Sequence, residues 1–155
     1  MRSVKINNYE LCVRFKYLVA NGTSFSSNAC RGHTGYDGTI KAGRGETIHI
    51  IPQCFYEFWS VATREIQFNG LGLSITDAQT ELGRLRIIFS FLPDSPAIYA
   101  EWERLVTHYS VRGRDSHDTR IVAAMNIHRI THLLTFNKSD FKRFPTITVH
   151  LPSEV

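Results

Sequence analysis

Over the last two-thirds of the chain, short apolar runs alternate with stripes of helical spacing. Thr47–Ile51 is an apolar run that predicts a strand, closed by Pro52. Residues 53–64 then place Phe55, Phe58, Trp59 and Ala62 at spacings of 3, 1 and 3, one face of a helix. Asn69 and Gly70, with Gly72, mark a loop. Ser74 is a good N-cap for a helix with Ile75, Ala78, Leu82 and Leu85 on one stripe. Ile87–Leu92 predicts a short strand, closed by Pro93 and Asp94. Ser95 then caps a helix that opens with Pro96, a favoured first-turn residue, and carries Ile98, Trp102, Leu105 and Tyr109. Arg112–Asp115 is a polar loop, and Ser116 caps a helix with Ile121, Ala124, Met125 and His128 facing inward. Thr131–Phe136 predicts a strand, Asn137–Phe141 a turn into a short helix, and Thr146–His150 a last strand. Strands alternating with helices predict an α/β fold with a mainly parallel sheet.

Residues 1–46 break this pattern. Asn21–Gly45 holds six glycines among Ser, Asn and Thr and shows no helical stripe. Glu10–Ala20 reads equally as a strand or a short helix. The chain therefore divides into an atypical segment, 1–43, and a patterned region, 44–155, within a single domain. Its 155 residues, 43% of them hydrophobic, suffice for one core. The basic excess of +4 lies wholly in residues 1–46, which hold seven basic and three acidic residues against eleven of each in the remainder. That excess is too small to name a partner. No apolar run spans a membrane and no secretory signal opens the chain, so a reducing cytoplasm is expected. Cys12, Cys30 and Cys54 are too few and too irregular for a disulfide framework.

Three carboxylates fall where chemistry would want them. Glu57 lies in the helix after the first clear strand, Asp118 in the first turn of the helix near Ser116, and Asp140 directly after the strand Thr131–Phe136. In a parallel α/β sheet, strand ends and helix starts gather along one edge, and carboxylates collected there attract hard divalent cations. Asp118 and Asp140 also suit helix starts simply as complements to the helix dipole. Glu57 is the one acid in a helix dense with Phe, Tyr and Trp, where a carboxylate needs a partner. Cys30 and His33 with Cys12 resemble part of a zinc site that lacks a fourth ligand. Cys54 reads as a packing residue, His128 and His132 as structural, and His117 as either a phosphate contact or solvated.

Three blocks, in order, resemble the PIN-domain family, and within it the VapC-type toxins of bacterial toxin–antitoxin pairs. The first runs from Pro52, Gln53, Glu57, Phe58 and Trp59 through Thr63 and Arg64 to Asn69, Gly70, Leu71, Gly72, Leu73 and Ser74. The second runs from His117 and Asp118 through Arg120 to Met125, and the third from Thr131 through Asn137 to Asp140 and Phe141. The resemblance covers residues 44–155. It implies a three-layer sandwich with a mainly parallel sheet flanked by helices. It also implies a ribonuclease dependent on Mg²⁺ or Mn²⁺, with Glu57, Asp118 and Asp140 as catalytic, metal-binding acids and Thr135 and Asn137 in support. The implied partners are an RNA substrate, a cognate antitoxin and a second copy of the chain. A module of this fold that binds antitoxin or RNA without cutting is the alternative. A phosphatase-like hydrolase needs a nucleophilic Asp on the first strand, and none is visible.

One departure is large. The family opens with an apolar strand ending in Asp-Thr/Ser-Asn, whose aspartate is a principal metal ligand, and residues 1–46 contain no such motif. Asp37, between Tyr36 and Gly38, is not preceded by a strand, and Glu10 has a slightly better setting but lacks the motif. The standard code does allow codons for Arg14 through Ala20 that, read one base later, spell Asp-Ser-Asn-Ile-Leu-Leu-Arg. A frame-shifted reading of residues 1–43, restored before Arg44, would account together for the glycines, the stray cysteines and the lost periodicity. Under either reading the chain as written is expected to be poorly folded or nearly inactive.

Overall fold

Ile48 and Ile50 are buried and His49 between them is not, the alternation of a strand. Pro52 follows at once and opens a helix, its fixed φ suiting the first helical turn. The computed structural model describes residues 48–151 and the backbone of residues 17–20. The strands are β1 (Tyr17–Ala20), β2 (Ile48–Ile50), β3 (Ser90–Phe91), β4 (His132–Thr135) and β5 (Thr148–His150). The helices are α1 (Pro52–Thr63), α2 (Ile75–Ile88), α3 (Pro96–His108) and α4 (Asp115–His128). Two short 3-10 turns, Ile66–Phe68 and Lys138–Phe141, also lie among the described residues. The fold is mixed helix and strand, as the alternating pattern predicts. Among the described residues no helix is long and apolar enough to cross a membrane.

The sheet runs β3-β2-β1-β4-β5. β2 pairs with β3, and β4 with β5, in parallel. β1 lies between β2 and β4 and is antiparallel to both, with Val19 opposite His49 and Leu133. β2 and β4 therefore point the same way, and among the described strands β1 alone is reversed. The expected mainly parallel sheet is thus parallel in its two outer pairs and antiparallel on both sides of its central strand. Of the ambiguous stretch Glu10–Ala20, its last four residues form β1.

The core gathers the stripes read from the sequence. Phe55, Phe58 and Ala62 of α1, Ala78 and Leu85 of α2, Ile98 and Leu105 of α3, and Ile121, Ala124 and Met125 of α4 are all buried with Leu133 and Leu134. The turn between α1 and α2 depends on Gly70, where an added Cβ would stand 2.0 Å from the Arg64 carbonyl oxygen. Ser74 caps α2 by accepting the Asp77 N–H at 3.1 Å.

Several details depart from the sequence reading. The apolar run Ile87–Leu92 is mostly not strand: α2 continues through Ile88 and only Ser90–Phe91 pair, leaving Ile87 exposed. Ile75, at the first position of its stripe, opens α2 beyond the surface that Ala78 and Leu85 cover, and is exposed. Ser95 precedes α3 without capping it. α4 begins a residue earlier than Ser116, whose hydroxyl donates instead to the Gly113 carbonyl at 2.8 Å. His128 does not face inward; near the α4 C-terminus it lies half-exposed, its Nε2 2.9 Å from the Pro93 carbonyl oxygen. His132 is held between strands, Nδ1 to His150 Nε2 at 2.8 Å.

His49 Nδ1 is buried and makes no hydrogen bond among the described residues. Burial first, and the nearby His128 second, hold its pKa below the ordinary 6.5. The unfolded chain takes up that proton more readily than the folded one, so stability falls as pH drops through the ordinary histidine value. The urea midpoint is expected to fall between about pH 7.5 and about pH 5.5, and His49→Gln to reduce that fall, as equilibrium unfolding at each pH will show.

Candidate functional site

Only Arg129–Thr131 separate α4 from β4, and the start of α4 meets the segment that follows β4. That first helical turn is tied on both sides. Gln53, in the first turn of α1, donates through Nε2 to the His117 main-chain oxygen at 3.0 Å. The same nitrogen donates to Glu57 Oε1 at 3.1 Å, one turn along α1. On the other side, Arg143 Nη2 pairs with Asp115 Oδ2 at 2.8 Å, just past the 3-10 turn that carries Asp140. The three segments bearing Glu57, Asp118 and Asp140 therefore meet along one edge.

Their side chains occupy different surroundings. Glu57 is half-buried and lines a cavity of about 360 Å³ with Gln53, Tyr56, Ser60, His117 and Arg120. Asp118 is 5% exposed, in the first turn of α4, where the helix dipole favours a carboxylate. Asp140 is half-buried and accepts the Ser139 hydroxyl at 3.1 Å. Thr135 is buried at the end of β4, its Oγ1 accepting the Asn137 N–H at 3.2 Å, while Asn137 itself is exposed. Neither Asp118 nor Asp140 lines the cavity that Glu57 shares.

Carboxylate oxygens are the donors that Mg²⁺ or Mn²⁺ takes, so the three acids are right in kind. Among the described residues, however, no three His, Cys, Asp or Glu side chains converge to hold a metal. The described acids alone do not close a cation cradle. The zinc-like trio Cys12, Cys30 and His33, and the acids Glu10 and Asp37, lie outside the described residues.

A polar chain organises this edge, and apart from Glu57 the sequence reading gave its members no site role. Gln53 is 7% exposed yet bonded at both ends, its Oε1 accepting Arg120 Nη1 at 3.3 Å. Arg120 Nη2 reaches on to Asp94 Oδ2 at 2.6 Å. One line of bonds thus runs from Glu57 through Gln53 and Arg120 to Asp94, joining α1, α4 and the loop before α3. The sequence signal was present but faint: Gln53 is four residues before Glu57, hence on the same helical face, and Arg120 is two residues past Asp118. Cys54, beside Gln53, is buried, and its thiol is pushed up to about 12, chiefly by burial, so it is a packing residue rather than a nucleophile.

Replacing Gln53 by Leu removes the donor to the His117 carbonyl and leaves Arg120 short of an acceptor. Gln53→Leu is expected to cost about 1–3 kcal/mol in equilibrium unfolding. Cys54 is expected to escape alkylation in the native protein and to react after denaturation, read by mass spectrometry of its peptide.

No protein-family profile and no curated protein matches the chain.

Proposed function

We propose that residues 44–155 are the body of a PIN-like, VapC-type toxin ribonuclease that hydrolyses RNA phosphodiester bonds, and that this chain carries the activity in impaired form. The observation that supports this most is the tethering of the α4 first turn to α1 by Gln53 and to the segment after β4 by Arg143. It ties together the segments on which Glu57, Asp118 and Asp140 lie, which suits the gathering of acids that the resemblance implies. The strand order, with β2, β3, β4 and β5 sharing a direction, also suits a three-layer parallel sandwich.

In this reading Glu57, Asp118 and Asp140 are the remaining acids of a site for Mg²⁺ or Mn²⁺, with Thr135 and Asn137 holding the loop after β4 in shape. A divalent cation held by these acids would supply an activated water and neutralise charge on the phosphate. The fourth acid belongs on the central strand, and Tyr17–Ala20 contains none. A reversed β1 in that place fits a frame-shifted segment occupying a slot meant for a parallel strand. A small antitoxin and a second copy of the chain are the partners of the intact form, and a cytoplasmic setting suits its substrate. The non-cutting alternative, a module that binds antitoxin or RNA, is favoured by the same missing acid.

The test compares the chain as written with a frame-corrected chain on single-stranded RNA, in Mg²⁺, Mn²⁺ or a chelator. The corrected chain is expected to cleave only with metal, and Glu57→Ala in it to slow cleavage by about 100-fold or more. The chain as written is expected to be slower than the corrected one by a similar factor. Strong metal-dependent cleavage by the chain as written contradicts the impairment, and no cleavage by either chain contradicts the ribonuclease.

A further inference from the structure

A second cavity, of about 460 Å³, adjoins the one that Glu57 lines. Its walls are Asp94, Ser95, Ile98, Tyr99, Trp102 and Arg120, so Arg120 is common to both. The volume is within the usual range for small-ligand sites. Tyr99 and Trp102, one turn apart on α3, have ring centroids 5.7 Å apart and planes inclined at 39°. Trp102 is fixed by donating its indole N–H to the Ser116 carbonyl at 2.9 Å, whereas Tyr99 is 63% exposed, a large aromatic face held in water. Ser95, in the N-cap position of α3, bonds to none of that helix's N–H groups. Its hydroxyl oxygen is buried without a hydrogen bond among the described residues, which is costly unless something comes to meet it.

We propose that this cavity receives one base of a single-stranded RNA, whose backbone continues past Arg120 toward the cavity of Glu57. The proposal rests on the RNA-directed part of the function proposed above and names where the substrate is gripped. Aromatic faces bind unstacked bases of any sequence, and a guanidinium beside them receives the adjoining phosphate. Arg120 is placed for this because its ion pair with Asp94 is surface-accessible, the two side chains being 31% and 39% exposed. Ser95 lines the cavity, and its hydroxyl, unpartnered among the described residues, is the group assigned to a base edge. An apolar side chain of a protein partner would also fill the aromatic walls. It would gain nothing from Arg120, and the continuity of the two cavities through that residue favours a nucleotide.

The experiment measures binding of a short fluorescent single-stranded RNA, and of an abasic strand of equal length, to the full chain in chelator, so that no cleavage occurs. The RNA is expected to bind about 10-fold more tightly than the abasic strand. Tyr99→Ala, at an exposed position, is expected to remove that advantage while leaving the affinity for the abasic strand unchanged. Ser95→Ala is expected to weaken the RNA alone, by a smaller factor. Equal binding of both strands, no binding of either, or an RNA affinity indifferent to Tyr99→Ala overturns the proposal. Base-dependent binding together with absent cleavage in metal leaves it standing and removes the hydrolytic reading, so the two failures are distinguishable.

Discussion

Strand direction constrains everything else in this fold. β2 leads into α1, and α4 leads into β4 through a three-residue connection, so the acid-bearing segments gather at the edge where both strands end. That geometry holds only because β2 and β4 run the same way. The strand between them can satisfy their hydrogen bonds in either direction, since parallel and antiparallel ladders differ only modestly in stability. Its direction does decide which end of that strand reaches the edge. With β1 reversed, its amino end lies beside the carboxyl end of β4, as the pairing of Tyr17 with Thr135 shows.

Within that frame the edge is organised by a neutral side chain. Gln53 can bond at once to Glu57, the His117 carbonyl and Arg120 because an amide both donates and accepts. A carboxylate there would lose the two donated bonds, and a hydrocarbon all three. The bridge sets the separation of α1 from the start of α4, and through Arg120 it couples the acid-bearing cavity to the aromatic one beyond Asp94. Hydrolysis and substrate grip, as proposed, thus depend on a common set of bonds.

The helices were legible because burial imposes period: Phe55, Phe58 and Ala62 mark α1, and Ile98 and Leu105 mark α3, before any tertiary information. Local chemistry was read less well. Ser74 caps as its type suggests, whereas Ser95 holds the N-cap position with the extended backbone a cap needs but its hydroxyl takes no helix N–H, and Ser116 lies inside α4. The run at Ile87–Leu92 was ambiguous between helix end and strand, since a short apolar stretch carries no period of its own. At the site, Glu57, Asp118 and Asp140 could be picked out as acids in suggestive places. The Gln53 bridge showed only in its i, i+4 spacing to Glu57, because its bonds to the His117 carbonyl and Arg120 form only once α1 and α4 are docked. The direction of β1 was beyond reach altogether, for a four-residue strand has the same pattern read from either end.

In the proposed reading, the body of the protein was built around a different, parallel central strand. That reading is tested most directly by sequencing the DNA that encodes residues 10–46 and translating it one base over. The expected result is an apolar strand ending in Asp-Ser/Thr-Asn, followed by a helical apolar stripe, with the original frame regained before Arg44. Stop codons or unpatterned sequence in that frame would contradict it and make the reversed β1 the native centre of the sheet.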